Sequence, residues 1–277
     1  MRAPPFVHNL VVRYARGPQH PSKMRILGWV RRLLRLDRII TPVGPVLMEL
    51  TPEDFVQGEL FYSGAYEPRT LARFDELIGL SRGFADFGAH LGLYTLRGAH
   101  CLASRSGRVI AIEPTPAHAA GLLRNAALND LRNIELYTAA FSNRPGFCRM
   151  IAPHTANTGG SRLDDCRSPD LRSCAIHVPV HSSKEIAHAL SEQNVDLIKL
   201  DIEGHEFHVL QDLLPALTVL PKNIILECDP SVFEYGDLGA QLGWLDRLGY
   251  DLLDVNGTPW QVASPLCEHN LWARLRA

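Results

Sequence analysis

Phe84-Ala-Asp-Phe-Gly-Ala-His-Leu-Gly-Leu-Tyr-Thr95 is the stretch on which the fold turns: an apolar run containing Asp86, then Gly88 and Gly92, then a helical pattern. A strand feeding a glycine turn that feeds a helix is how open α/β sheets present backbone amides to a ligand. Glycine is needed because a side chain would block the approach. The spacing is Asp-x-Gly-x-x-x-Gly, whereas a nicotinamide or flavin enzyme more often shows G-x-G-x-x-G at this turn. That departure counts against a nucleotide-cofactor oxidoreductase.

The next apolar run, 108–112, ends in Glu113-Pro114, 21 residues beyond Gly92. In α/β nucleotide sites an acid about 20 residues past the turn grips the ribose hydroxyls, so Glu113 is read as a ribose ligand. The competing reading is a cap for a helix starting near Pro116, and Glu is a poorer N-cap than Asp, Ser or Thr. Further β-like runs at 134–138, 195–200 and 223–227 alternate with helical patterns at 93–104, 116–128, 206–214 and 238–248. This rhythm predicts an α/β, Rossmann-like fold over 61–277. Residues 1–60, broken by seven prolines from Pro4 to Pro52, are expected to form a helical or irregular N-terminal extension. The polar interval 149–180, with Gly159-Gly160 in its middle, interrupts the rhythm; it reads either as a substrate-facing insertion or as an ordinary hairpin between two strands.

At 277 residues and 46% hydrophobic content the chain can fill one large core. A net charge of -2 gives no general attraction to polyanions, so nucleic acid is not an expected partner. Six scattered cysteines without a C-x-x-C indicate neither a zinc cluster nor a disulfide framework, and a reducing cytoplasm is the expected compartment. No segment reaches the roughly 18 apolar residues of a transmembrane helix. One stretch departs from this neutrality: within 23–38, Arg25, Arg31, Arg32, Arg35 and Arg38 interleave with Met24, Leu27, Trp29, Val30, Leu33 and Leu34. The pattern predicts a basic amphipathic helix docking its apolar stripe on its own domain, with peripheral contact to an anionic membrane as the alternative.

The run Asp86-Phe-Gly-Ala-His-Leu-Gly-Leu-Tyr-Thr95 resembles the first motif of the FkbM-type methyltransferases, Asp-Ile-Gly-Ala-Asn-x-Gly-x-Tyr-Thr, with His90 in place of the usual Asn. Gly64-Ala-Tyr-Glu-Pro68, Glu113-Pro-Thr-Pro116, Ala140-Phe-Ser142, Lys199-Leu-Asp-Ile-Glu-Gly-His-Glu206 and Leu226-Glu227 are similar to further landmarks of that family. The likeness runs from about Glu59 to Leu271, but the Thr-Leu-Asp common before the fourth strand's helix is replaced by His181-Ser-Ser-Lys184. The resemblance implies a class I fold with a seven-stranded, mostly parallel sheet, and S-adenosylmethionine as cofactor. It further implies methyl transfer to a hydroxyl of a sugar, glycan or polyketide-like molecule. On that reading Tyr66, Glu67, Asp86, Gly88, Ala89, His90, Gly92, Tyr94, Thr95, Glu113, Pro114 and Ala140 surround the cofactor.

In Val195-Asp-Leu-Ile-Lys-Leu-Asp201, alternation puts Lys199 and Asp201 on one strand face, with Asp201 at the carboxyl end where such sheets bind ligands. Hydroxyl methylation needs the acceptor oxygen held close and its proton removed. Asp201 or His205 is the candidate base, Lys199 and Glu203 are candidate partners, and Glu203 and Glu206 could instead serve the following helix start. Asp201 and Glu227 are two oxygen ligands for Mg²⁺ if a metal takes part, which is not expected. The rivals are the nucleotide-cofactor oxidoreductase and a non-catalytic binding module using the basic helix.

Overall fold

The computed structural model describes residues 5–18, 20–34, 36–151, 162–164, 175–228, 238–261 and 266–276. The predicted alternation is realised as α/β layering. Two helices, α1 (Pro5–Arg16) and α2 (Lys23–Leu34), precede a hairpin of β1 (Ile39–Val43) and β2 (Val46–Leu50), then α3 (Phe55–Tyr62) and α4 (Pro68–Ile78). The main sheet then starts with β3 (Phe84–Phe87), α5 (Leu93–Ala103), β4 (Val109–Ile112), α6 (Pro116–Leu128) and β5 (Ile134–Tyr137). A second, smaller sheet follows from β6 (Ala140–Ser142), β7 (Gly146–Ile151), β8 (Arg162–Asp164) and β9 (Ala175–Ser182). The chain returns through α7 (Ser183–Glu192), β10 (Leu197–Leu200), α8 (Glu206–Leu213), β11 (Asn223–Glu227), α9 (Leu238–Arg247), β12 (Tyr250–Asp254) and β13 (Asn270–Leu275).

Among the described residues the main sheet has seven strands in the order β12-β13-β11-β10-β3-β4-β5. Only β13 runs against its neighbours, pairing antiparallel with both β11 and β12. Every residue of β3, β4 and β10 is buried, because helices cover both faces of a parallel sheet. The chain leaves β3 toward β4 and β5, and later fills the other side with β10 and β11. The β3/β10 junction is therefore a topological switch point, where the two sets of connecting loops part and leave a crevice.

The N-terminal 60 residues are less separate than the sequence suggests. Val11, Val12, Ala15, Leu27, Ile39 and Met48 are buried in one apolar cluster with Phe74, Phe84 and Trp272, and the expected boundary at 60 falls inside α3. The helix predicted over 23–38 is shorter, and only one of its faces docks: Leu27 is buried while Ile26, Trp29 and Leu33 are exposed. In the interval 149–180, β7 pairs antiparallel with both β8 and β9, so the segment is more than the ordinary two-stranded hairpin considered as one alternative; Gly159-Gly160 lies outside the described residues.

Candidate active site

A cleft opens at the switch point. One wall is the turn after β3. Gly88 takes φ +85°, and a Cβ there would stand 1.9 Å from the Asp201 carbonyl oxygen, so glycine lets the β3 and β10 ends close on each other. The turn's amides are already engaged, contrary to the sequence expectation: those of Gly88 and Ala89 donate to the Ile112 carbonyl at 3.0 and 2.9 Å, and that of Gly92 to Ala89 at 2.8 Å. The His90 amide donates to Glu113 Oε2 at 2.9 Å. Gly88, Ala89 and His90 line the cleft, whereas Gly92 packs against Leu96 and Leu122.

Glu113 ends β4 and lines the cleft beside Pro114. Its Oε1 accepts from the Thr115 amide at 2.7 Å, and His118 Nδ1 stands 3.6 Å away. Burial opposes its ionisation, but His118 and the Thr115 amide outweigh burial and hold its pKa below the ordinary carboxylate value. A carboxylate has roughly four acceptor directions, and two amides use two of them, so capacity remains for a ligand's hydroxyl. The capping alternative is thus only partly met, because Thr115 is the residue that precedes α6. The His90 and His118 rings meet edge to face at 4.2 Å. Burial, then His118, pushes His90 down to about 4 and keeps it neutral.

The other end of the cleft is organised by Lys199. This fully buried ammonium donates to Asp201 Oδ2 at 2.8 Å and lies 4.6 Å from the centre of the Tyr94 ring. In the β3/β10 register it neighbours Asp86. Burial lowers its pKa; Asp201 and then Glu67 outweigh that effect and raise it. Reciprocally, burial works against the Asp201 charge, and Lys199 overcomes it, so Asp201 is held ionised below its ordinary value. Glu67 has φ 45°, a left-handed conformation uncommon outside glycine. The first amides of α4 are satisfied from elsewhere, since Glu268 accepts from Arg69 N, Thr70 N and Thr70 Oγ1. That leaves the Glu67 carboxyl to face the cleft, where it accepts from Tyr94 Oη at 3.2 Å, and burial pushes it up to about 7.

Glu227, at the end of β11, is pushed up to about 10 by burial and then by Asp201, so it is protonated near neutrality. Its Oε2 finds no hydrogen-bond partner among the described residues. Asp201 and Glu227 do not make a ready Mg²⁺ site: Lys199 already pairs with Asp201, and among the described residues no group of three or more His, Cys, Asp or Glu is arranged to hold a metal.

Not every predicted residue reaches the cleft. Tyr66, Glu203, His205 and Ala140 line it. Asp86 and Thr95 do not; Thr95 Oγ1 donates to Asp86 Oδ2 at 2.5 Å, and the pair sits behind Lys199. Burial raises Asp86 to about 6. Glu206 also turns inward, its Oε1 accepting from Ile202 N at 2.9 Å and Gly204 N at 3.3 Å, which clasps the loop holding Asp201 and Glu203. Sequence reasoning missed Met48, Gln57 and Leu60 from the N-terminal segment, His118 on α6, and Met150 on β7. Only His118 carried a signal, lying one helical turn inside the Pro116 start.

A family model described as "Methyltransferase FkbM domain" matches residues 86–252, more than half of the chain. The chain belongs to the FkbM methyltransferase family. The match covers β3 through most of β12, and with it Gly88, Glu113, Lys199, Asp201 and Glu227. No curated protein matches. Among solved structures, M. jannaschii TYW2 in complex with AdoMet is 12% identical with TM-score 0.42, over 86% of this chain and 85% of that one. The Pyrococcus abyssi tRNA (uracil-54, C5)-methyltransferase with S-adenosyl-L-homocysteine is 14% identical with TM-score 0.44, over 86% of this chain and 44% of that one. A SAM-dependent methyltransferase from Agrobacterium tumefaciens is 11% identical with TM-score 0.44, over 87% and 70%. Similarity this distant says nothing of what this FkbM-family chain methylates.

Proposed function

We propose that this FkbM-family chain binds S-adenosylmethionine in the β3/β10 cleft and methylates a hydroxyl of a sugar, glycan or polyketide-like molecule. The observation that carries the cofactor assignment is the charge of the cleft. Among the described residues its carboxyl groups, Glu67, Glu113, Asp201, Glu203 and Glu227, outnumber the single ammonium, Lys199, even with Glu227 protonated and Glu67 near half-protonated at neutrality. S-adenosylmethionine, which supplies an electrophilic methyl on a sulfonium, is a net cation and suits such a site. A dinucleotide brings an anionic pyrophosphate, which would meet these carboxyls and a glycine turn whose Gly88, Ala89 and His90 amides are already engaged. This disfavours the oxidoreductase rival.

In this reading Glu113 holds ribose hydroxyls, and Asp201, fixed by Lys199, orients the acceptor hydroxyl. Of the groups at that end, Glu67 is the one whose affinity for a proton lies near neutrality, so it is better matched than the paired Asp201 to receive the hydroxyl proton. Glu227, protonated, donates rather than accepts. A non-catalytic role is disfavoured because these strained and crowded ionisable groups cost stability without serving packing.

The test is incubation with methyl-labelled S-adenosylmethionine and a panel of free sugars, lipid-linked glycans and hydroxylated polyketides. Label recovered as an alkali-stable methyl ether supports the assignment. Label recovered as a methyl ester or on nitrogen overturns the hydroxyl acceptor.

A further inference from the structure

Both N-terminal helices carry apolar residues on two sides, and among the described residues only one side of each is buried. On α1, Val11, Val12 and Ala15 are buried while Phe6, Leu10 and Tyr14 face outward. On α2, Leu27 is buried while Ile26, Trp29 and Leu33, spaced i, i+3, i+7, form an outer stripe with Arg25 and Arg32 exposed beside it. Phe6, Leu10, Trp29 and Leu33 are each 62–64% exposed. A surface helix normally carries one apolar stripe, which it buries, so a second stripe left exposed asks for a cover.

The charge of this segment says what covers it. Residues 1–36 hold eight Lys and Arg and no Asp or Glu, so the rest of the chain carries -10 out of a net -2. Some of these cations hold the helices to the fold: Arg16 donates to the Leu60, Phe61 and Pro42 carbonyls, Lys23 to the Gly17 carbonyl, and Arg31 to Glu53. Arg13, Arg25 and Arg32 remain at the surface. We infer that this face docks on an anionic lipid bilayer. Trp29, Phe6 and Leu33 would enter the headgroup boundary, with the arginines reaching lipid phosphates above them. A second copy would oppose two basic faces. A nucleic acid would leave the Ile26–Trp29–Leu33 stripe against phosphates.

The test uses the full chain and extruded vesicles of phosphatidylcholine alone, or with about one part in four of phosphatidylglycerol, read by co-sedimentation. Binding to the anionic vesicles should be at least about tenfold tighter, since each basic residue near the surface adds a several-fold factor, and about 0.5 M salt should erase the difference. Arg25→Glu with Arg32→Glu should remove the preference. Trp29→Ser with Leu33→Ser should weaken binding to anionic vesicles by about tenfold or more, with an unchanged thermal melt because both side chains lie outside the core. Brominated lipids should quench tryptophan emission in the wild type and not in Trp29→Phe. Equal binding to both vesicle types, retained binding after these substitutions, or absence of quenching overturns the proposal. So does a solution dimer that Trp29→Ser dissolves, which would make the face a contact between copies. None of these readouts depends on which reaction the cleft performs.

Discussion

Lys199 and Asp201 hold each other's charge in the interior, while the surrounding carboxyls are raised first by burial. Replacing Asp201 by Asn keeps the shape and removes the charge that orients the acceptor. Turnover should fall by roughly 10²-fold or more while cofactor affinity stays within a few-fold. Near-normal turnover would move the role to Glu67 or His205. Glu206 tests the pH logic. Burial raises it from 4.5 to about 7, so the folded state holds a proton that the unfolded chain releases. Its contribution is therefore lost as pH rises from the ordinary carboxylate range through about 7. Gln at 206 keeps an acceptor for Ile202 N and Gly204 N without the charge, so its melting temperature relative to wild type should climb between pH 5 and pH 8. Each kcal/mol reads as about 2–4 °C in a chain of this size. A constant difference would mean that Glu206 carries no such shift. The sequence made Asp201, Glu113 and Gly88 legible because strand ends and glycine turns are local patterns. Asp86 stays out of the cleft because its carboxylate is held by Thr95 beside Lys199, which arrives on a strand distant in sequence, whereas Glu206 takes the helix-start place that the sequence offered it as an alternative.

The strands and helices from Phe84 onward that have uninterrupted apolar periods were readable: β3, β4, β5, β10 and β11 lie within one or two residues of expectation, as do α5, α6, α8 and α9. The β12–β13 pair was not read as a hairpin of the sheet, since its two strands are separated by a long connection and their pairing is a tertiary event. Of the N-terminal elements only the helix within 23–38 was readable; α1, the β1–β2 hairpin and α3 were not, and with them Met48, Gln57 and Leu60 in the cleft. The β3 turn makes the sharpest prediction among the elements. Gly88→Ala would force a Cβ into the Asp201 carbonyl at a left-handed φ. It should destabilise by at least about 2 kcal/mol, from strain alone, and abolish cofactor binding. A variant that melts and binds like wild type would show that the strand ends need not meet there.

The fold as a unit includes its first helices. Deleting residues before Asp37 removes the buried side chains of Val11, Val12, Ala15 and Leu27 from the core shared with Phe74 and Phe84. At about 1.5–3 kcal/mol for each large apolar side chain the loss is on the order of 5 kcal/mol, a large part of a typical domain's stability. Thermal melts should show the truncated chain unfolded or far less stable. An unchanged midpoint would return 1–36 to the status of a detachable appendage. An electronegative cleft at the switch point should select a cationic cofactor over an anionic dinucleotide. Titration calorimetry on the intact chain, with S-adenosylmethionine, S-adenosylhomocysteine and NAD(P) as separate ligands, tests it most directly. Micromolar-range binding of S-adenosylmethionine with no heat from NAD(P) is the predicted result, and binding of NAD(P) without either sulfur ligand would contradict it.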